Sequence, residues 1–431
     1  MTNPLPVSRR TFLQTTGAVA ATAALTAKSY ARVIGANDRI RVGFVGSGGQ
    51  GLANINTVHD LEKSNNVEGI VVADCWKTRA DEGAGVFSGA KAATDYRHVL
   101  DNKDVDYVTI AVPEHSHAGV TIAAFEAGKP VYCEKPMTHT IEQGLAVQKK
   151  QKETGLALQV GVQAMSDDSY GAAAVAIRQG VLGKVVQAQI EYVRRYDTQG
   201  PWRVPELDPK MPKPRDLDWD TWLGVAPKIE WNPHHFFEWR NYSQYSGGIC
   251  TDLFIHRITR IMKACDLQYP RRVVGMGGIW QWPDGRDLPD NFEMICEYPR
   301  GMTVYVLGTM SNRVGLDHVI RGYRGTMYLT DNGWVVRNKD GKILEQYKEK
   351  KPHEDMHNHH TNFHNHLRNG EPLNCPIELG MAAVVAVNMA NESWRTSQMM
   401  AWDAEHERMV PANTLKLSHE PDPAALPKVA G

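Results

Sequence analysis

The feature that most constrains this chain is a glycine-rich loop directly after its first strand pattern. An apolar run over residues 40–45 is followed by a G-x-G-x-x-G sequence made by Gly46, Gly48 and Gly51. In a strand–loop–helix unit the first glycine allows a tight turn, the second lets backbone N–H groups approach a pyrophosphate, and the third allows close helix packing. The phosphates would then lie at a helix N-terminus. The loop therefore predicts a dinucleotide site, although the same letters also occur in turns that are merely rich in glycine.

A second strand pattern supports the dinucleotide interpretation. Residues 69–73 are apolar and end in Asp74, at about the spacing of a carboxylate that binds the adenosine ribose. A carboxylate there accepts hydrogen bonds from a free 2′-hydroxyl and repels a 2′-phosphate, so NAD is the predicted cofactor. Lys77 and Arg79 lie close enough along the chain to keep NADP as an alternative, although charges at a helix start are more often solvated.

The first residues have the features of an export signal. A twin arginine, Arg9 and Arg10, is followed by a mildly apolar run over residues 17–27. This pattern resembles a twin-arginine (Tat) signal, predicted to span residues 1–31, and it implies export of an already folded protein by the Tat machinery. The predicted location is the periplasm, with membrane association outside the cytoplasm if the signal stays uncleaved. The alternative is a disordered tail on a cytoplasmic protein.

Composition excludes several classes of partner. The 431 residues carry 48 Lys and Arg against 49 Asp and Glu, and the net charge of −1 provides no field for a nucleic-acid backbone. The signal is too weakly apolar to predict a stable membrane span, and no later segment is long and uncharged enough. The 6 cysteines show no C-x-x-C spacing, so buried thiols are predicted rather than disulfides or zinc ligands.

Hydrophobic periodicity changes partway along the chain. Residues 38–163 alternate short β-branched runs with helical spacing, which predicts a doubly wound parallel sheet, the Rossmann domain that binds NAD or NADP. Residues 164–410 contain consecutive strand patterns, a long Pro- and Trp-rich connection and a helical end. They predict a second α/β domain with a large, mainly antiparallel sheet. Residues 411–431 are predicted to be a tail.

Three segments carry side chains suited to catalysis. Two of them, residues 112–117 and the Glu-Lys-Pro triplet at 134–136, follow strand patterns of the first domain, where a parallel sheet binds its ligands. The third is a Gly-Gly pair at 247–248 followed by Asp252 and His256. Because these two residues are four apart, they are predicted to share one face of a helix and to meet.

Together with residues 217–224, these motifs resemble the glucose-fructose oxidoreductase, inositol dehydrogenase and MocA (Gfo/Idh/MocA) family over nearly the whole mature chain. The resemblance implies a Rossmann domain followed by an α/β domain, whose open sheet also serves in substrate binding and in the contacts of a homo-oligomer. Carried over by motif, Lys135 would bind and polarise the reacting sugar oxygen, with Asp252 and His256 beside the same atom. The resemblance also implies three cofactor-binding residues, Pro113, His117 and Glu134.

The chemistry of alcohol oxidation assigns roles to the same residues. A base must take the hydroxyl proton while hydride leaves the same carbon, and His256 suits that base because its unperturbed pKa lies near neutrality. Asp252 would fix the imidazole tautomer or bind a neighbouring hydroxyl, and Lys135 would stabilise the developing alkoxide. The plainer alternatives are that Asp252 caps its helix and that His256 is a satisfied interior histidine.

Further candidates lie in the second domain. Most of its tryptophans are expected in the core or in interfaces, and the segment at 231–245 is the one favoured for stacking on a sugar. Within it, Arg240 and Tyr245 are candidate contacts to substrate hydroxyls. Residues 353–357 match the H-E-x-x-H zinc pattern, but a proline and a charged run precede them. No functional metal site is therefore predicted, and the neighbouring histidines are expected to be solvated or partly packed.

These observations predict an exported NAD-dependent oxidoreductase that acts on a sugar or polyol hydroxyl or keto group with a tightly held cofactor. Outside the cytoplasm no soluble NAD pool is expected to recycle the enzyme, so a closed redox cycle is attractive. Hydride exchange between sugars, epimerisation and NAD-dependent glycoside cleavage all satisfy that condition. A non-catalytic sugar-binding protein is a further alternative, against which the complete set of Lys135, Asp252 and His256 counts.

Overall fold

The computed structural model describes residues 39–196 and 199–418. The predicted export signal and residues 419–431 of the predicted tail therefore lie outside the described residues. Within the described ranges the chain forms two sheets, each flanked by helices. None of the helices in these ranges is long and apolar enough to cross a membrane.

The first sheet is parallel and has six strands. They are β1 Ile40–Val45, β2 Val67–Ala73, β3 Lys91–Ala93, β4 Tyr107–Ile110, β5 Val131–Glu134 and β6 Leu158–Gly161. Their order is β3-β2-β1-β4-β5-β6. The chain changes direction across the sheet between β1 and β4, and the carboxyl ends of these two strands frame the crevice in which a doubly wound fold binds its ligand.

Helices cover both faces of this sheet. They are α1 Gly49–Asp60, α2 Lys77–Ala84, α3 Arg97–Leu100, α4 Glu114–Glu126 and α5 Ile141–Thr154. Helix α5 starts with a capping box, in which the Thr140 hydroxyl accepts from the Gln143 N–H. Helical spacing alone predicts α4 only from Gly119, but the helix begins already at Glu114. Pro113, with a φ of −60°, is preset for this early start, and a carboxylate in the first turn suits the helix dipole.

The second sheet has ten strands. They are β7 Val185–Val193, β8 Arg272–Gly278, β9 Asn291–Tyr298, β10 Met302–Thr309, β11 His318–Gly322, β12 Thr326–Thr330, β13 Gly333–Arg337, β14 Ile343–Lys348, β15 Met400–Asp403 and β16 Arg408–Pro411. Their order is β14-β13-β12-β11-β7-β10-β9-β8-β15-β16. The β7–β10 pair is parallel, and the other described pairs are antiparallel.

The helices of the second half pack on one face of this sheet and against the first domain. They are α6 Asp168–Arg178, α7 Trp219–Leu223, α8 Pro233–Phe237, α9 Ile255–Cys265, α10 Met356–Asn369 and α11 Ile377–Thr396. Helix α11 is buried over most of its length and contacts both β8 and α5. One apolar core therefore runs through both domains, which fixes the two sheets relative to each other.

The predicted fold class is confirmed. A parallel Rossmann sheet precedes an α/β domain with a mainly antiparallel sheet. The described cysteines are all free thiols, five of them buried and Cys75 half-buried, as predicted.

The long connection before α9 is packed onto the first domain. Leu217 forms a β-bridge with Trp76, and the Asp216 carboxylate accepts hydrogen bonds from Thr78 and from the Trp76 ring. Helices α7 and α8 add an aromatic cluster that includes Trp222 and Phe236. The connection therefore forms one wall of the crevice at the carboxyl ends of the first sheet.

Candidate active site

The glycine loop lies at this crevice, and Gly46 and Gly48 line it. Gly46 has a φ of +89°, and a Cβ there would lie 2.5 Å from the Ala111 carbonyl oxygen. A Cβ on Gly51 would lie 2.1 Å from the Gly46 carbonyl oxygen. Gly48 is the N-cap residue of α1, so the unpaired N–H groups of that helix start are available to an anion. The loop therefore has the close backbone approach that a pyrophosphate requires, and it fits NAD.

The end of β2 carries the carboxylate predicted to select the cofactor. Asp74 accepts hydrogen bonds at 2.9 Å from the backbone N–H groups of Ser47 and Trp76. It is thus held between the glycine loop and the start of α2, and it lines the crevice. Arg79 lines the crevice too, with its guanidinium carbon 4.9 Å from the centre of the Trp76 ring. Asp74, which favours NAD, and Arg79, which favours NADP, therefore lie at the same end of the crevice.

A cleft of about 600 Å³ extends from this end to the Glu-Lys-Pro loop, within the size range of ligand sites. Pro113, His117 and Glu134 lie in its wall. His117 is buried, and its two ring nitrogens lie 2.7 Å from the Pro136 carbonyl and 2.8 Å from the Val112 carbonyl. His117 therefore ties the two loops together, whatever it contributes to the cofactor.

Glu134 is held by amide side chains of its own domain. Its Oε1 accepts hydrogen bonds from Gln50 and Asn54 at 3.0 Å and from Gln163 at 3.1 Å. Burial raises the pKa of Glu134, and the Asn54 and Gln50 donors together with the charge of Lys135 partly offset that effect. Because the carboxylate is fixed from several sides, the next residue, Lys135, leaves the strand end in a defined direction.

Lys135 meets the second domain at Asp252. Its Nζ lies 2.8 Å from both the backbone oxygen and Oδ1 of Asp252. Arg240 Nε lies 3.0 Å from the same Oδ1. Burial opposes ionisation of Asp252, but the charges of Arg240 and Lys135 outweigh it and hold its pKa well below the ordinary value. Asp252 is therefore an ionised carboxylate shared by two cations.

His256 follows on the next helix. Ile249–Phe254 form a π-helix, and α9 begins at Ile255. No hydrogen bond joins Asp252 and His256 among the described residues, and the carboxylate is taken by Lys135 and Arg240. That the two side chains meet on one helix face stays a prediction. Burial, and next the charge of Lys135, lower the pKa of His256 well below its ordinary value. The imidazole is therefore neutral, and it is a weaker base than a free imidazole.

Glu114 is a site residue that sequence reasoning did not single out. It lies in the first turn of α4 and is 1% exposed. Its carboxylate accepts hydrogen bonds from the Ser246 and Thr251 hydroxyls at 2.6 and 2.8 Å and from the Gly247 N–H at 3.1 Å. The Rossmann domain thus holds the turn that leads to Asp252. A signal was present in the sequence, because an acid directly after a strand-end proline is a polar group at the ligand edge of the sheet.

The two predicted substrate contacts have different surroundings. Arg240 lines the cleft, and its guanidinium carbon lies 4.2 Å from the centre of the Trp239 ring. Tyr245 is fully buried, with its ring centre 4.9 Å from that of Trp222 and its hydroxyl 3.0 Å from His235 Nδ1. The expectation that Tyr245 contacts substrate is therefore not supported, since its ring is part of the aromatic cluster.

The H-E-x-x-H pattern does not lie on one helix. Helix α10 begins at Met356, so His353 precedes it while His357 lies in its first turn. His353 Nδ1 is 2.8 Å from an Asp167 oxygen, whereas His357 Nε2 is 3.2 Å from an Asp60 oxygen. The expectation of a solvated or partly packed cluster is wrong for three of the following histidines, which are fully buried, namely His359, His360 and His364.

The fold and the site define the two-domain class of NAD-binding oxidoreductases. Comparison with family models identifies the family. Residues 40–162 match the Gfo/Idh/MocA oxidoreductase family, NAD-binding Rossmann fold, and residues 172–422 match its C-terminal alpha/beta domain. The chain belongs to this family. Residues 6–26 match the signal sequence of the twin-arginine translocation pathway.

Similar proteins include dehydrogenases of cyclic polyols and anhydrosugars. The scyllo-inositol 2-dehydrogenase (NAD(+)) of Bacillus subtilis is 33% identical over 139 residues, which are 32% of this chain and 41% of that protein. Levoglucosan dehydrogenase of Pseudarthrobacter phenanthrenivorans is 31% identical over 137 residues, 31% of this chain and 35% of that protein. The chain thus aligns with less than half the length of these relatives.

Solved structures with the same fold cover more of the chain. Levoglucosan dehydrogenase in complex with NADH and levoglucosan has a TM-score of 0.64 at 19% identity, covering 84% of this chain and 98% of that one. The WlbA dehydrogenase from Bordetella pertussis, in complex with NADH and UDP-GlcNAcA, has a TM-score of 0.63 at 18% identity, covering 88% and 100%. At these identities the likeness shows the fold alone.

Proposed function

We propose that this protein is an exported, NAD-dependent oxidoreductase acting on a hydroxyl or keto group of a sugar or polyol. The observation that carries the proposal is the ion pair between Asp252 and Lys135, which lines the cleft built on the glycine loop. The charges of both residues act on His256, whose pKa burial lowers most. The inositol and levoglucosan dehydrogenases among its relatives support the same substrate class.

The residues divide the work of alcohol oxidation among them. Bound NAD would supply the hydride acceptor. An ammonium group has three N–H donors, and Lys135 uses two of them on Asp252. The third is left for the reacting oxygen, whose developing negative charge Lys135 stabilises. His256, held neutral, takes the hydroxyl proton.

Asp252 and Arg240 act on the position of Lys135. The carboxylate fixes the ammonium group at 2.8 Å, and Arg240 shares the same oxygen. This shared ion pair keeps Asp252 ionised, so it does not compete with His256 for the substrate proton. In the reverse direction His256 returns the proton to a keto oxygen that Lys135 polarises.

Location and cofactor are linked in this proposal. The matched signal directs the chain to the Tat pathway, and we place the mature protein in the periplasm. A nucleotide bound before export would travel with the folded protein. The connection, which lines the cleft with Trp222 and Phe236, supports a cofactor that stays bound. The enzyme would then reduce and reoxidise the same NAD with paired sugar substrates.

The test starts from the purified mature protein. Denaturation followed by mass spectrometry is expected to release stoichiometric NAD or NADH. Addition of inositols, levoglucosan or simple sugars should then change the near-ultraviolet absorbance of the bound nucleotide. We expect Lys135→Ala to retain nucleotide and lose turnover, while Lys149→Ala, at an exposed position on α5, retains both. Full turnover by the Lys135 variant would overturn the mechanism.

A panel of aryl glycosides separates the remaining alternatives. Release of the aryl group, dependent on bound nucleotide, would identify a glycoside hydrolase that uses transient oxidation. Interconversion of epimers without net change in NAD would identify an epimerase. If no sugar or polyol changes the redox state of the nucleotide, the proposed activity is wrong.

A further inference from the structure

The second domain has a further group of cations, which begins at the residue after His256 on α9. Strand β7 alternates its side chains between the two faces of the sheet. Ala188 and Ile190 are fully buried on the face that α9 covers. Tyr192 and Arg194 continue the same face, with Tyr192 half-buried and Arg194 exposed. The strand thus leads out from beneath α9 to a tyrosine and an arginine.

Arg257 reaches the same tyrosine from the helix. It directly follows His256 on α9, and its guanidinium carbon lies 4.6 Å from the centre of the Tyr192 ring. The guanidinium carbon of Arg194 lies 4.8 Å from the same ring centre, and Arg194 also donates to the Tyr192 hydroxyl. Two guanidinium groups from separate elements are therefore gathered on one aromatic ring.

Neither arginine has a carboxylate partner within ion-pair distance among the described residues. Glu354 pairs with Arg260, and Glu191 Oε1 lies 3.1 Å from His318, while Glu191 Oε2 is buried without a hydrogen-bond partner among the described residues. Arg257 Nε is buried and has no hydrogen-bond acceptor in the described structure. Burial, and next the positive charge of Arg260, lower the pKa of Arg257. The positive charges of Arg194 and Arg257 are therefore not neutralised by an ion pair.

The arginine pair belongs to the same electrostatic neighbourhood as the reacting groups. Arg257 and Arg260 are among the charges that lower the pKa of His256, after burial and Lys135. Arg257 is also the residue next to His256 on α9. An oxyanion held by the pair would therefore belong to a substrate whose hydroxyl lies at Lys135 and His256.

We propose that Arg194 and Arg257 form an anion subsite and that the substrate is a sugar bearing an oxyanion group, such as a carboxylate. This inference rests on the proposed oxidoreductase function and specifies its substrate class. Guanidinium groups suit the role because they bind oxyanions through paired N–H donors and stack on aromatic rings. Tyr192 holds both groups in place before the ligand arrives, so less conformational entropy is lost on binding.

The test compares matched sugars at constant ionic strength. Glucuronate and glucose, and galacturonate and galactose, differ at carbon 6 only. We expect kcat/KM for the acid to exceed that for the neutral sugar by at least about tenfold. Arg257→Met keeps an unbranched stem against Tyr192 and removes the charge. It should lower the acid-to-neutral ratio about tenfold, mainly through KM, and Arg257→Lys should restore part of it.

A matched control and a binding measurement keep the two proposals separable. Arg337→Met, at an exposed position on β13, should leave the ratio unchanged. Thermal unfolding should show stabilisation by glucuronate, not by glucose, in wild type and a loss of that difference in Arg257→Met. Thermal stabilisation can be measured even if none of the sugars is oxidised. Absence of oxidation would refute the proposed oxidoreductase function but not the anion subsite.

Equal kcat/KM for acid and neutral sugars, with equal thermal stabilisation by both, would overturn the subsite while leaving the oxidoreductase function in place. Stronger stabilisation by glucose 6-phosphate than by glucuronate would assign the subsite to phosphate esters instead of carboxylates. An acid preference that survives in both Arg257→Met and Arg194→Met would also overturn it.

Discussion

The carboxylate of Glu114 provides a direct test of how the two domains hold the site together. We predict that Glu114→Ala strongly destabilises the protein and that Glu114→Gln does so weakly. The carboxylate is buried and accepts hydrogen bonds from Ser246, Gly247 and Thr251. Alanine removes all three acceptor contacts at once, whereas glutamine keeps the volume and one oxygen.

The magnitude follows from the donors that are left without an acceptor. A hydrogen bond to a charged group contributes about 1.5–3 kcal/mol. The Gly247 N–H also lies 2.9 Å from the Thr251 hydroxyl, so it keeps an acceptor. The two hydroxyl donors remain, and the expected loss for Glu114→Ala is roughly 3–6 kcal/mol. In Glu114→Gln the side-chain amide can donate to the Ser246 hydroxyl, so a loss of about 1 kcal/mol is expected.

Urea unfolding measures both variants against wild type. Burial, and next the charge of Asp252, raise the pKa of Glu114 to about 7. The unfolding of the variants and of wild type is therefore compared about one pH unit above this pKa, where Glu114 is ionised. Glu126→Ala, at the exposed end of the same helix, is the matched control and should change the free energy of unfolding by less than about 0.5 kcal/mol. If Glu114→Ala loses no more free energy of unfolding than this control, the proposed stabilising role of the Glu114 carboxylate is refuted.

Three further predictions concern the cofactor and acid stability. Gly51→Ala should yield protein without nucleotide, because its Cβ would lie 2.1 Å from the Gly46 carbonyl oxygen, and mass analysis showing full nucleotide would contradict the loop assignment. Asp74→Ser should reduce the preference for NAD over NADP in binding titrations, and an unchanged preference would assign selection to other residues. Burial lowers the pKa of His359 to about 4 and that of His364 to about 3. Both are neutral when folded and would bind protons when unfolded below about pH 6.5, so stability is full above that pH and falls as the pH drops toward 4. The expected loss is on the order of 5 kcal/mol over two pH units, and unfolding midpoints that stay flat across this range would count against it.

Local patterns were sufficient for much of the nucleotide-binding half. The strand pattern at residues 40–45 matches β1 at both ends, and Gly46 and Gly51 lie where a Cβ would collide with backbone. Helical spacing in the sequence predicts a helix over residues 141–154, and α5 has these bounds, between its capping box and Gly155. These features depend on neighbours within a few residues, which the sequence displays directly.

Only part of the candidate site could be predicted from local patterns. The reactive residues of the three motifs could be recognised by their side-chain chemistry, but the residues that they contact could not. Lys135 and Asp252 are 117 residues apart, and Glu114 and Ser246 are 132 apart. No periodicity relates such positions, because their contact depends on how α11 and the common core hold the two sheets together.

The tertiary structure also decided what several suggestive residues do. The Tyr245 ring packs into the aromatic cluster instead of facing the cleft, and the histidines of α10 are buried instead of solvated. Arg194 and Arg257 drew no attention in the sequence, yet they meet on one ring. The sequence by itself determined the sheet types, the glycine loop and the reactive side chains, because each follows from local sterics and chemistry. Which of those side chains share a site was decided by long-range packing alone.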